Sequence, residues 1–65
     1  MKIGVVVKDE ETFQRWKRKW PSLAEFATKI QYTEDYQGME FQSIFIEECP
    51  QFTAKELEAI RSRKR

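Results

Sequence analysis

The chain has 65 residues, 40% of them hydrophobic and 35% charged, and a chain this short buries only about 60% of the surface that its unfolded form exposes. One small domain over residues 1–65 is therefore expected, without room for a deep catalytic cleft. Twelve basic and eleven acidic residues leave a net charge of +1, and the hydrophobic content argues against disorder.

The sequence carries no sign of a membrane or a secretory route. No apolar run approaches the roughly 18 residues that a bilayer span needs, and no signal peptide is recognisable. Cys49 is the only cysteine, so the chain cannot form an internal disulfide. We expect a cytoplasmic protein.

A β-branched run over residues 2–8 predicts the first strand. Asp9 follows as the expected N-cap of a helix, with Glu10 and Glu11 in its first turn and basic residues at 17–19 in its last. The charges agree with the dipole of a helix that runs in this direction.

Three aromatic residues of this helix, Phe13, Trp16 and Trp20, recur at helical spacing and are expected to face the sheet. Pro21 disfavours helical geometry at Trp20 and suits the first position of a new turn. A short second helix is predicted over residues 22–28.

Residues 29–46 are predicted to form a β-hairpin that turns at Gln37 and Gly38, although a longer loop over residues 34–40 is an alternative. The consecutive apolar residues Ile44, Phe45 and Ile46 are typical of a strand covered on both faces. This strand is therefore predicted to lie in the middle of the sheet.

The strongest local signal comes after the hairpin. Thr53 and Glu56 have the spacing of a capping box, and Phe52 and Leu57 that of a hydrophobic staple, so a helix is predicted to begin there. The basic residues 61–65 are expected to be a frayed tail.

These elements predict a small α+β domain in the order βαββα. A right-handed crossover makes the first two strands parallel, and the apolar third strand lies between them. The expected fold is a three-stranded mixed sheet in the order 1-3-2, with both helices packed on one face.

The residue types argue against an enzyme. The chain has no histidine to act as a base or a metal ligand, and its two isolated glycines cannot form a phosphate-binding loop. Cys49 lacks an activating histidine, and Glu47 and Glu48 show no pattern of a cation-binding loop. We expect no cofactor, no metal and no small-molecule substrate.

A protein partner, or a second copy of the chain, is the first functional hypothesis. In the predicted sheet Val6, Ile44 and Ile46 form an apolar patch on the face that the helices leave open, with Tyr36 near the turn. Exposed edge strands could also pair with another strand. The alternative is that residues 22–28 fold over the patch.

Nucleic-acid binding is the second hypothesis. If the two main helices lie side by side, their basic ends could form one patch that contacts phosphates. Plain solvation and compensation of the helix dipoles explain the same charges. The candidate residues are Arg15, Arg18, Lys19, Arg61, Arg63, Lys64 and Arg65.

Overall fold

A computed structural model describes all 65 residues. Its strands are β1 (Ile3–Val6), β2 (Ala27–Ile30) and β3 (Ser43–Ile46), and its helices are α1 (Glu10–Lys19), α2 (Pro21–Ala24) and α3 (Ala54–Arg61), with a 3-10 turn at Thr33–Asp35. The fold is a small α+β structure with one three-stranded sheet. None of the helices combines the length and the apolar character that a membrane crossing requires.

The three strands are all parallel and lie in the order β2-β1-β3. Ile3 of β1 pairs with Ala27 on one side and with Ser43 on the other. The predicted mixed sheet in the order 1-3-2 is therefore wrong, and so is the predicted central position of the third strand.

The chain between β2 and β3 does not form the predicted hairpin. One carboxylate oxygen of Asp35 accepts hydrogen bonds from the backbone N–H groups of Gln31 at 2.9 Å and Tyr32 at 2.8 Å, which turns the chain as soon as β2 ends. Gly38 supplies a later turn with φ +73°. Tyr32, which belongs to the first strand of the predicted hairpin, lies in a loop and is 56% exposed.

All four residues of β1 are buried, as expected for a parallel strand that has a neighbour on each side and is covered on both faces. The residues of β3 are only half-buried, as expected for an edge strand. The apolar run of β3 does not distinguish it from β1, because residues 5–7 and residues 44–46 are apolar runs of equal length. In the fold the ring of Phe41 covers Gly4.

Helices pack on both faces of the sheet, and the expectation of a single covered face is wrong. Phe13 and Trp16 of α1 join the cluster formed by Ile3, Val5 and Val7. On the opposite face the cluster consists of Val6, Ile30, Tyr36, Phe41, Phe52 and Ile60, with Ile60 contributed by α3. The connection from β2 to β3 runs across the sheet in the direction opposite to that from β1 to β2, so right-handed crossovers place residues 31–42 on the face opposite to α1. α3, which follows β3, packs on that same face.

The local predictions at the helix starts are confirmed. Asp9 caps α1 by accepting a hydrogen bond from the Thr12 backbone N–H, and Thr53 and Glu56 form the capping box of α3. Trp20, in contrast, leaves the buried stripe because the helix ends before Pro21, and its side chain is 41% exposed.

Candidate functional site

The four residues predicted to contact a partner, the three of the apolar patch and Tyr36, lie in or against the core. Val6 and Tyr36 are buried, and Ile44 and Ile46 are half-buried against the cluster that contains Ile60. The open face does not exist because α3 and the loop before β3 cover it. Residues 22–28 do not provide this cover, since Leu23 packs with the other cluster.

The two basic groups lie on opposite faces of the sheet but at the same end of it. α1 begins after the carboxyl end of β1 and ends before the amino end of β2, so it runs antiparallel to the strands. α3 ends where Arg63 O accepts a hydrogen bond at 2.8 Å from the backbone N–H of Phe41, just before β3. Both helices therefore end where the strands begin.

This topology separates the charges of a nearly neutral chain. We call the end where the strands begin the basic end, and the end where they finish the acidic end. The basic end also holds two carboxylates, those of Glu25 before β2 and Glu40 before β3, but its cations are more numerous: Lys2, Lys17, Arg18, Lys19, Arg61, Arg63, Lys64 and Arg65. The acidic end carries Asp9, Glu10, Glu11, Glu34, Asp35, Glu47, Glu48 and Glu56.

Ion pairing differs between the two ends. At the acidic end the lysines next to strand ends are paired, Lys8 with Glu48 at 3.1 Å and Lys29 with Glu10 at 2.9 Å. At the basic end only Arg65 has a carboxylate partner, that of Glu40 at 3.4 Å. The other cations of the basic end have no carboxylate within 4.0 Å, although Lys17 lies 5.2 Å from the ring centre of Phe13.

The chain after α3 is held against the start of β3. Arg65 N donates to Phe41 O at 2.8 Å, and Lys64 forms an isolated parallel bridge with Phe41. The guanidinium of Arg63 lies 5.7 Å from the ring centre of Tyr36. These contacts define where the tail lies, and its fraying stays a prediction.

Arg15, predicted to belong to the basic group, lies elsewhere. Its guanidinium is 3.7 Å from the Glu11 carboxylate and 3.9 Å from that of Glu48. It also lines a cavity of about 100 Å³ between α1 and the chain after β3, with Thr12, Trp16, Lys19, Glu47 and Glu48. Parallel sheets bind ligands where the strand order reverses, as it does here between β1 and β3. The opposite charges of the lining neutralise one another, so the cavity indicates no particular ligand.

Cys49 lies half-buried beside the cluster under α3. This burial raises the pKa of its thiol, which keeps the sulfur protonated and a poor nucleophile at neutral pH. The chain has no histidine that could activate it. Cys49 therefore gives no support to a nucleophilic site.

Sequence reasoning missed the separation of charges because it placed both helices on one face of a mixed sheet. The useful signal was the placement of acidic residues in the first turns and basic residues in the last turns of α1 and α3. Because the strands are parallel and each of these helices runs back along the sheet after a strand, the last turns of α1 and α3 lie at the same end.

Comparison with known proteins gives no relative, since no family model, no curated protein and no solved structure matches the chain.

Proposed function

We propose that this protein is a non-enzymatic binding protein whose partner is nucleic acid, contacted through the basic end. The proposal rests on the meeting of two basic groups, far apart in sequence, whose cations with one exception lack a carboxylate partner. Such a surface attracts the phosphate backbone and gains affinity by releasing counterions. The expected compartment is the cytoplasm.

The helix dipole explains only part of this charge. Basic residues in the last turn of a helix stabilise it, which suffices for residues 17–19 and for Arg61. Lys2 lies before β1, and Arg65 lies four residues beyond the last residue of α3, so the dipole does not account for these two. Their position beside the ends of both helices supports binding of an external polyanion.

Fluorescence anisotropy of a labelled oligonucleotide, over about 50 to 200 mM salt, tests the proposal. We expect the logarithm of the binding constant to fall linearly with the logarithm of the salt concentration. The double variant Arg18→Gln with Lys64→Gln removes one exposed cation from each helix end. This variant is expected to bind more weakly. If both cations contact a single strand, the slope of the logarithm of the binding constant against that of the salt concentration (the salt slope) should become shallower by about 1.4.

A matched double variant, Arg15→Gln with Lys55→Gln, removes the same two types of side chain away from the basic end. Arg15 is already paired with carboxylates, and Lys55 lies in the first turn of α3. This variant is expected to bind more tightly than the basic-end variant. Equal losses in both doubles, or no salt-dependent binding by the unmodified protein, would contradict the proposal.

Pairing with a second copy through the outer edge of β3 is the second candidate. The tail forms its bridge with Phe41 only, so the outward backbone groups of Ile44 and Ile46 have no strand beside them. An edge of this kind accepts another strand by backbone hydrogen bonds.

Molar mass in solution, measured by light scattering over a range of concentrations, tests this second candidate. Association is expected to increase with concentration, and Ile44→Pro is expected to abolish it by removing an outward N–H group. Circular dichroism checks that the variant is folded. A monomer at every concentration would exclude self-pairing.

A further inference from the structure

Trp20 is the exposed aromatic side chain of the basic end. It follows Lys19 directly and is 41% exposed, whereas Trp16, one helical turn earlier, is only 2% exposed. Pro21 causes the difference, because α1 stops and Trp20 takes φ −127° and ψ 64° instead of helical angles. The exposed part of the indole thus directly follows the basic last turn of α1.

The indole lies on the β3 side of the molecule. Its ring centre is 6.2 Å from that of Phe45 in β3, at an interplanar angle of 42°. The tail is hydrogen-bonded to Phe41, four residues earlier along the same chain, a separation of at most about 14 Å for an extended backbone. Phe45 packs on the face of α1 and Phe41 on the face of α3, so one bound strand meets both the indole and the tail by crossing the outer edge of β3.

The pairing of an exposed indole with cations suits unpaired bases. Cations follow the sugar-phosphate backbone, and aromatic rings stack on bases, which present their faces when the strand is single. In a duplex the faces of the bases are already stacked on one another. An exposed ring would therefore add nothing to the phosphate contacts made with a duplex.

We infer that the basic end binds single-stranded nucleic acid in preference to duplex, with Trp20 as the surface on which a base stacks. This inference rests on the proposed function. Sequence selectivity is not expected, because every base offers a face for stacking.

The experiment compares a single strand of about 15 nucleotides with the same sequence in a duplex, at one salt concentration. The variant Trp20→Leu is expected to bind the single strand about tenfold more weakly and to bind the duplex unchanged. Its salt slope on the single strand should equal that of the unmodified protein, since no cation is removed.

Tyr32→Leu is the matched control, because Tyr32 is also an exposed aromatic residue but follows β2 at the acidic end. It is expected to leave the affinity for the single strand unchanged. Equal binding of single strand and duplex, or no effect of Trp20→Leu on a folded protein, overturns the inference and leaves the proposed function standing. The absence of salt-dependent binding to either oligonucleotide overturns the proposed function itself.

Acrylamide quenching of tryptophan fluorescence in the unmodified protein decides the question if Trp20→Leu does not fold. Trp16 is buried, so the quenchable signal comes mainly from Trp20. The single strand is expected to protect this signal and the duplex is not. A bound single strand that gives no protection overturns the inference.

Discussion

Gly4 lies in the middle of the central strand, where the space for a side chain is already filled. A Cβ atom added at this position would lie 3.0 Å from Cδ1 of Ile30 and 3.2 Å from Cδ1 of Phe41. Such distances are shorter than ordinary van der Waals contact, so the neighbouring side chains would have to move. The missing side chain of Gly4 lets the ring of Phe41 cover β1.

We predict that Gly4→Ala destabilises the protein by about 1 to 3 kcal/mol through overpacking. For a domain of this size the melting temperature should fall by roughly 4 to 8 °C per kcal/mol, as thermal unfolding followed by circular dichroism would measure.

Compared with Gly4→Ala, the variant Gly38→Ala measures the free-energy cost of backbone conformation without a steric clash. No atom lies within 4 Å of a Cβ at this position, but the backbone has φ +73°. Its expected cost is about 1 to 2 kcal/mol from the left-handed conformation.

An unchanged melting temperature in Gly4→Ala would show that Phe41 and Ile30 are not packed against β1 as described.

The start of α1 depends on a single carboxylate. One oxygen of Asp9 accepts hydrogen bonds from the Thr12 backbone N–H at 2.8 Å and from the Thr12 hydroxyl at 2.7 Å. These hydrogen bonds, that of the backbone N–H foremost, lower the pKa of the Asp9 carboxyl below its ordinary value of 3.8. The folded state therefore favours the charged form of this N-cap.

We predict that this charge contributes to stability above pH 3.8 and that the contribution is lost as the pH falls through the lower pKa of the folded protein. Asp9→Asn keeps an oxygen acceptor for the cap but has no charge. The variant should melt at a lower temperature than the unmodified protein at neutral pH, and the two melting temperatures should converge in acid.

Glu10, whose pKa is also lowered by hydrogen bonds from Gln14 and Lys29, is present in both proteins and cancels from this comparison. A difference in melting temperature that stays constant from neutral to acid pH would count against a role for the Asp9 charge.

The all-parallel sheet determines how charge is distributed over the whole molecule. α1 and α3 both start near the carboxyl ends of strands, so their acidic first turns and their basic last turns fall at opposite ends. A chain with a net charge of +1 thus becomes electrically polarised. The basic end follows from the topology and not from composition.

We predict that backbone amides of β1 exchange most slowly with deuterated solvent, because β1 is hydrogen-bonded on both sides. Since Glu47 N bonds to Val6 O, alternation along β3 directs the N–H groups of Ile44 and Ile46 outward, and these should exchange faster. Exchange rates from nuclear magnetic resonance test this order. Slower exchange at Ile44 and Ile46 than at Val5 and Val6 would instead support β3 as the central strand.

Sequence alone determined the features that depend on near neighbours in the chain. The Asp9 cap, the capping box of Thr53 and Glu56, and the inward direction of Phe13 and Trp16 need only the spacing of a few residues. The positions of the strands were predicted less well, since the sequence predicts a hairpin over residues 29–46, where a turn hydrogen-bonded to Asp35 instead ends β2.

Only the tertiary structure decided the strand order, the covered faces and the grouping of the charges. Periodicity shows that a strand is apolar but not which strand lies beside it, and the apolar runs over residues 5–7 and 44–46 are equally long. Once β1 lies between two parallel neighbours, the crossovers must occupy opposite faces. This packing buries Val6 and Tyr36 and brings Lys19 and Lys64 to the same end.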